Sequence, residues 1–145
     1  MTTNRKTLRQ ALRTLLKAEV TSAQEVYAYQ KARIYGQSPV VAITSAGSER
    51  ERFTMQGSRL AATFDVHVFV LHSDGATATW TEEDAENTLD DLEQQIAQAC
   101  DRNPVKVNGW GRLAYAGASD ARNLTKIEGV DYLHEIITLE MQEYN

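Results

Sequence analysis

The longest regular pattern of hydrophobic and polar positions lies in residues 59–72. Alternate residues from Leu60 to Val70 are all apolar, whereas the residues between them mix polar and apolar side chains. Because successive side chains of a strand point to opposite faces, this pattern predicts a long β-strand with one fully buried face. Residues 130–142 show a similar alternation and predict a second long strand. Its buried face carries Leu133, Ile137, Leu139 and Met141.

Two segments carry apolar residues at helical spacing. In residues 4–18 the leucines recur every three or four positions, which predicts an amphipathic helix capped by Thr3 or Asn4. Residues 81–101 keep an apolar stripe from their first turn to Cys100, which predicts a second and longer helix.

The second helix has a clear start signal. Thr81 as N-cap and Asp84 three residues later resemble a capping box, and Trp80 is placed to pack on Ala85 as a hydrophobic staple. The dipeptide Asn103-Pro104 predicts the end of this helix, because proline cannot continue it.

Shorter segments complete the order of elements. Val26-Tyr-Ala-Tyr29 is rich in strand formers, and residues 40–44 and 110–118 predict further strands. Residues 45–58 begin with turn residues and then alternate in charge, which predicts a hairpin tip or a flexible arm. Residues 117–129 are polar and predict a loop.

These elements predict one α+β domain over residues 1–145, with its N-terminal helix in residues 1–18. Short connections between strands favour an antiparallel or mixed β-sheet with two helices packed on one face and an extended β-hairpin arm. The two long strands would span about 46 and 43 Å at about 3.3 Å per residue. A compact domain of this size is only about 38 Å across, so we expect part of each strand to project and contact another subunit if the strands are unbroken. A bulge or bend in each strand is the alternative.

Composition excludes several classes of protein. The hydrophobic fraction of 42% and the charged fraction of 24% are those of a soluble globular domain. No apolar segment approaches the roughly 20 residues of a membrane span, and the first residues lack the apolar core of a secretory signal. The single cysteine, Cys100, cannot form an internal disulfide, which fits synthesis in the cytoplasm. With a net charge of −5, we expect neither sequence-specific nucleic acid binding nor a membrane partner.

The charges are segregated along the chain. Residues 1–17 carry five bases and no acid, and residues 81–101 carry eight acids and no base. Such asymmetry favours head-to-tail contacts between copies, although two solvated helix faces explain it as well. The candidate docking residues in the two blocks are Arg5, Arg9, Arg13, Glu82, Glu83, Glu86 and Asp90.

The predicted arm supplies the remaining candidate docking residues. These are Glu49, Arg50, Glu51, Arg52 and Phe53. In an extended segment the alternation puts the two arginines on one side and the two glutamates on the other. This pattern predicts two-sided ion pairs with neighbours in a ring or a stack, and a solvated hairpin tip explains it nearly as well.

Few residues qualify for catalysis. Asp65 and His67 share a face of the long strand, and together with Trp110 they carry the hypothesis of a small cytoplasmic enzyme that uses a general base. His72 lies on the opposite face from His67, so the two cannot share a metal. Cys100 ends an acidic helix, which disfavours a thiolate. The chain contains no nucleophile elbow, phosphate loop or calcium loop, and we predict no catalytic residue, metal or cofactor.

Short strings on successive elements carry a resemblance over about residues 20–143. They are Val26-Tyr-Ala-Tyr29, Gly36-Gln-Ser-Pro-Val-Val41, Gly47-Ser-Glu-Arg-Glu-Arg52, Phe64-Asp-Val-His-Val-Phe-Val70, Trp80-Thr-Glu-Glu-Asp84 with its continuation to Glu93, Trp110, Leu113-Ala-Tyr-Ala-Gly117 and Gly129-Val-Asp-Tyr-Leu-His-Glu-Ile136. In this order they resemble the tail terminator and tail completion (head–tail joining) proteins of long-tailed bacteriophages and prophages.

The resemblance implies a small structural α/β subunit of the virion, which is not an enzyme and needs no cofactor. Such subunits assemble with themselves into a ring, commonly a hexamer. The ring caps the tail tube protein, ends its polymerisation and presents a surface to the head–tail connector proteins. The localisation implied is the tail or neck of the virion, after synthesis in the host cytoplasm.

Other interpretations stay open. A head completion or neck connector protein is a similar small α+β subunit, and the sequence does not separate it from a tail terminator. A tail tube subunit fits less well, because tubes need a polymerising β-barrel surface and this chain has a prominent second helix. The enzyme hypothesis requires a cleft that brings Asp65, His67 and Trp110 together.

Overall fold

A computed structural model describes residues 4–29, 38–52, 57–72, 81–105, 110–117, 119–127 and 129–144. The elements, in chain order, are α1 Arg5–Glu19, β1 Glu25–Tyr27, β2 Val40–Arg52, β3 Ser58–Leu71, α2 Glu82–Arg102, β4 Arg112–Tyr115, β5 Asp120–Ile127 and β6 Val130–Tyr144. The two helices and the two long strands lie within two residues of their predicted bounds.

The strands form one mixed sheet in the order β1-β2-β3-β6-β4, and β5 also pairs with β6. β3 lies at the centre and pairs antiparallel with β2 on one edge and with β6 on the other. Only β1 runs parallel to its neighbour, β2, within the part of the chain that the structure describes. Both helices contribute to the same apolar cluster as one face of β3, so the predicted α+β fold with two helices on one face is confirmed.

The prediction of a loop over residues 117–129 is wrong, because most of that segment is strand β5. β4 and β5 follow each other along one edge of β6, and the break between them contains Gly117 with a φ of 72°. β5 has β6 as its single neighbour among the described strands. A strand at the edge of a sheet needs no continuous apolar face, which is why its polar sequence was misinterpreted.

The main core lies between the helices and the sheet. α1 contributes Leu8, Leu12 and Leu16, all fully buried, and α2 contributes a stripe from Ala85 to Cys100. Each fully buried leucine stabilises the fold by roughly 1.5–3 kcal/mol through removal of apolar surface from water. α1 contacts β1, β2 and β3, whereas α2 contacts β3, β4 and β6. The two helices therefore cover different halves of the sheet.

Local capping fixes where each helix begins. The Asn4 side chain accepts a hydrogen bond from the Thr7 backbone at 2.9 Å, so Asn4 is the N-cap of α1. At the start of α2, Thr81 Oγ1 accepts from the Asp84 backbone at 3.1 Å and Asp84 Oδ2 accepts from the Thr81 backbone at 3.0 Å. The predicted capping box is confirmed; Trp80, the proposed staple, lies outside the described residues.

The expected projection of the long strands is wrong for β3. Every helix-facing residue of β3 from Leu60 to Val70 is buried, and its pairing with β6 continues from Arg59 to Leu71. The core extends along the whole strand because two helices, one after the other, cover it. The far end of β2 leaves this core, since residues 48–52 are exposed, and the first two residues of β6 are exposed as well.

The predicted arm over residues 45–58 is largely regular structure. Its first half continues β2 as far as Arg52 and pairs with β3, with one irregularity between Ser45 and Gly47. Residues 53–56 lie outside the described residues. The hairpin part of the prediction therefore holds, and Ser45 to Arg52 form a strand.

Two leucines on neighbouring strands test how much of the stability comes from this core. Leu139 on β6 is 0% exposed and Leu124 on β5 is 57% exposed. We expect Leu139→Ala to lower the free energy of unfolding by about 2–5 kcal/mol, through lost burial and a cavity. The matched control Leu124→Ala should change it by less than about 0.5 kcal/mol. Urea denaturation measures both, and equal losses would contradict this assignment of the core.

Candidate functional site

The three candidate arginines of α1 lie in different environments. Arg5 is exposed on the first turn. Arg9 Nη1 donates to Ser45 Oγ at 3.1 Å, and Arg13 Nε donates to the Val26 carbonyl at 3.0 Å. Arg9 Nε is buried and has no hydrogen-bond partner among the described residues. Arg9 and Arg13 thus turn towards β2 and β1 rather than directly into solvent.

A cleft of about 580 Å³ opens between α1 and β1, and we call it the basic cleft. Tyr27 and Tyr29 form part of its second wall, with ring centroids 5.8 Å apart and planes at 53°. Tyr29 is 55% exposed, so much of its side chain is open to solvent. The residues that line the cleft are Arg9, Gln10, Arg13, Thr14, Glu25, Tyr27, Ala28 and Tyr29.

Glu25 is the acid within the basic cleft. Its carboxylate lies 3.5 Å from Lys17 Nζ and 4.0 Å from Arg13 Nη2. A hydrogen bond from the Val26 backbone lowers the pKa of Glu25, and the positive charge of Lys17 lowers it further. Glu25 therefore offsets the charges of Arg13 and Lys17 within the subunit, whereas Arg9 has no carboxylate among its described partners.

The candidate acids of α2 form one exposed group, which we call the acidic stripe. It consists of Glu82, Glu83, Glu86 and Asp90. Helix N-termini favour negative charge because their backbone N–H groups carry a partial positive charge. The sequence places these acids in the first three turns of α2, so they suit the helix and remain available at its surface.

Two hydrogen bonds show which way the acidic stripe faces. On one flank of α2, Tyr115 of β4 donates from its hydroxyl to Glu93 Oε1 at 3.2 Å. On the other flank, the Gln95 amide donates to Ser22 Oγ, just after α1, at 2.8 Å. With 3.6 residues per turn, the stripe lies within about 80° of Glu93 around the helix axis. It therefore faces the β4 side of the molecule, away from α1.

The structure thus separates the two charged blocks within the subunit. The basic cleft lies over β1 and the acidic stripe lies on the β4 side, and these are the first and last strands in the sheet order. Among the described residues, the ion pair between the two helices lies at their C-terminal ends, where Arg102 Nη1 is 3.7 Å from Glu19 Oε2.

The charged end of β2 divides as the sequence predicts. Arg50 pairs with Leu60, whose side chain enters the helix-side core, and Glu51 pairs with Arg59 on the opposite face. Glu51 Oε2 lies 2.9 Å from Arg59 Nη2. Phe53 lies outside the described residues. The exposed charged residues of this strand end are Glu49, Arg50, Glu51 and Arg52.

The residues of the enzyme hypothesis do not meet. Trp110 is buried in the helix-side core, and its indole donates to the Asn103 carbonyl at 2.9 Å. His67 lies on the opposite face of the sheet, because the neighbouring residues Val66 and Val68 face the helices. The structure therefore does not form the cleft of Asp65, His67 and Trp110 that the enzyme hypothesis requires.

His67 instead belongs to a hydrogen-bonded row across four strands. Thr44 Oγ1 lies 3.1 Å from His67 Nε2, His67 Nδ1 lies 2.9 Å from His134 Nε2, and His134 Nδ1 lies 3.1 Å from Thr125 Oγ1. Phe69 stacks on the His134 ring with centroids 4.4 Å apart. The sequence could not reveal this row, because it depends on the register between β3 and β6.

The row limits how many protons the two imidazoles hold. One N–H must lie between His67 Nδ1 and His134 Nε2, so the bond survives with both rings neutral or with one ring charged. Two charged rings would oppose two N–H groups. Burial lowers the pKa of His67, and the nearby carboxylate of Asp65 partly opposes this effect. The row is thus a structural link between strands, with its bonds made at neutral pH.

A second polar group missed from the sequence is Glu135, which is only 4% exposed on the helix side of β6. Its Oε2 accepts a hydrogen bond from Ser119 Oγ at 2.6 Å. Burial raises the pKa of Glu135, and the carboxylates of Glu93 and Asp90 raise it further. The sequence could have indicated that Glu135 is buried, because position 135 falls in the same alternating row as the apolar residues of β6.

Other reactive groups are few in the described chain. Burial raises the pKa of Cys100 to about 11, and Asp101 contributes to the rise, so the prediction that a thiolate is disfavoured is confirmed. Within the ranges described above, no group of three or more His, Cys, Asp or Glu side chains is arranged to hold a metal ion.

No model of a protein family matches the chain, and no curated protein matches it. Among the described residues, neither helix is long and apolar enough to cross a membrane.

The histidine row predicts a loss of stability on mild acidification. The pKa of His67 is lowered in the folded protein, so the unfolded chain binds a proton first as the pH falls through about 6.5. The contribution of His67 to the free energy of unfolding should be fully present above that pH. It should decrease as the pH falls from there to the lowered pKa of the folded protein. Urea denaturation at several pH values measures it. His67→Gln should remove this part of the decline and the control His72→Gln should keep it; identical profiles for all three proteins would contradict the assignment.

Proposed function

We propose that this chain is a structural subunit of a phage tail: a tail terminator that forms a ring, caps the tail tube and joins it to the head connector. The strings that carry the family resemblance fall on six elements of the fold in chain order. They begin at β1, continue through the β2–β3 hairpin, the capped start of α2 and β4, and end on β6. This order of a helix, a hairpin, an acidic helix and a final group of strands supports the proposal.

The observation that carries the proposal is the outer edge of β2. β1 pairs only with Val40–Ala42, so from Ile43 to Arg52 this edge has no strand neighbour among the described residues. An open strand edge presents backbone groups that another chain can pair with. Charged side chains on such an edge prevent unspecific pairing and aggregation. The exposed charges of residues 49–52 have this arrangement. A subunit that assembles with neighbours needs such an edge.

Ring closure supports the same function. A closed ring made by head-to-tail contacts needs two different complementary surfaces on each subunit. The basic cleft and the acidic stripe are two surfaces of opposite charge at opposite ends of the sheet. The proposed partners are therefore a second copy of the chain, the tail tube protein and the head–tail connector proteins, in the tail or neck of the virion.

The solution mass of the purified protein tests this proposal. Light scattering after size exclusion, over a range of protein concentrations, should show a ring of several copies, or a monomer that forms rings when tail tube protein is added. Salt should weaken the ring, because the screening length falls from about 10 Å at 0.1 M to about 3 Å at 1 M. A monomer at every concentration that does not respond to tail tube protein would contradict the proposal and favour a connector role.

A further inference from the structure

The two oppositely charged surfaces lie where a head-to-tail contact requires them. The sheet order begins at β1, beneath the basic cleft, and ends at β4, on the side that the acidic stripe faces. α1 covers the first strands and α2 covers the last strands. A contact between these two ends of successive subunits repeats in one direction around an assembly, and it closes when the rotation between subunits closes.

The acidic stripe has charge to offer a partner. No basic residue occurs from Glu82 to Asp101, and all four acids of the stripe are exposed. Asp84 and Glu93, which share this helix, are already bonded within the subunit to Thr81 and Tyr115. The stripe therefore leaves out the two acids that the described fold uses in the capping box and the β4 contact. Within it, Glu82 Oε1 lies 4.0 Å from His72 Nε2, whereas Glu86 and Asp90 are exposed on the following turns.

The basic cleft contains an arginine, Arg9, that can bind a carboxylate. Arg9 Nε is buried without a hydrogen-bond partner among the described residues, and an unmet buried donor is unfavourable. Because Arg9 lines the cleft, a carboxylate that enters it would meet a guanidinium that has no acidic partner among the described residues. The opposite wall carries Tyr27 and Tyr29, and tyrosine is enriched in protein interfaces because it combines an apolar ring with a polar hydroxyl.

The spacing of the charges also agrees. Arg9 and Arg13 are four residues apart on α1, and Glu86 and Asp90 are four residues apart on α2. Such pairs lie about 5–6 Å apart on a helix surface. Two helices that approach side by side can therefore bring both acids to the wall of the cleft that Arg9 and Arg13 line. Arg13 is already bonded to Val26 and Glu25 within the subunit, so Arg9 is the arginine left for the acids.

We propose that the acidic stripe of one copy binds the basic cleft of the next copy, with Glu86 and Asp90 facing Arg9. This inference rests on the proposed ring and names the surfaces that hold it together. Binding of a small anion, or of an acidic segment of the tail tube protein, in the same cleft is the competing outcome.

Two reversed variants and their combination test the contact. The cleft variant is Arg9→Glu with Gln10→Glu, which leaves Arg13 to hold the Val26 carbonyl and Glu25. The stripe variant is Glu86→Lys with Asp90→Lys. The combined variant carries all four substitutions. The control is Asn87→Lys with Asp91→Lys, at the same spacing on α2 but rotated by about 100° to the next exposed positions.

Each reversed variant alone should need at least about tenfold more protein for half-assembly, because like charges across an interface cost several kcal/mol. The combined variant should assemble as the natural protein does, since its reversed stripe again meets a cleft of opposite charge. The control should assemble normally. Circular dichroism melting shows that each protein is folded, and light scattering measures the assembly.

Other results separate the two proposals. If the natural protein forms rings and both reversed variants do too, the contact inferred here is wrong and the proposed function stands. If both variants fold but do not assemble, and the combined variant does not assemble either, the two surfaces do not bind each other and the inference is again wrong. If the cleft variant alone loses binding to the tail tube protein, the cleft binds the tube and not a second copy. If the natural protein forms no ring even with tail tube protein, the proposed function fails and this inference with it.

Discussion

The central strand β3 is paired along both of its edges and buried along its helix-facing side, and the rest of the fold is arranged around it. Its ladder with β6 is continuous from Arg59 to Leu71, and its helix-facing residues from Leu60 to Val70 are all buried. Since both edges are occupied, the other strands must add outwards, with β1 at one end and β4 and β5 at the other. Since the buried side spans the whole strand, two helices are needed to cover it. This constraint sets α1 and α2 over different halves of the sheet.

The chemistry of the molecule follows from that division. The face of the sheet opposite the helices carries the row from Thr44 to Thr125, which links four strands through the two imidazoles. The ends of the sheet carry the charge, with the basic cleft at one end and the acidic stripe at the other. A subunit with a rigid centre and oppositely charged ends is suited to repeated contacts, and this is the physical basis of the proposed assembly.

Local signals allowed much of this fold to be predicted from the sequence. The alternation in β3 and β6 is long enough to exclude a helical period, and Thr81 with Asp84 marks the start of α2 within a single turn. The features that could not be predicted depend on distant parts of the chain. β5 is a strand because β6 offers it a hydrogen-bonding edge, and its own polar residues give no sign of this. His67 and His134 meet because the sheet register brings together residues 67 positions apart, and the charged blocks could be identified by sequence but not assigned to opposite ends.

The central claim is that copies of this chain stop the growth of a phage tail tube. The most direct measurement is electron microscopy of tail tube protein from the same phage genome, polymerised with and without this protein carrying a visible label. The account predicts tubes of limited length with the label at one end. Tubes of unchanged length with no label at either end would contradict it.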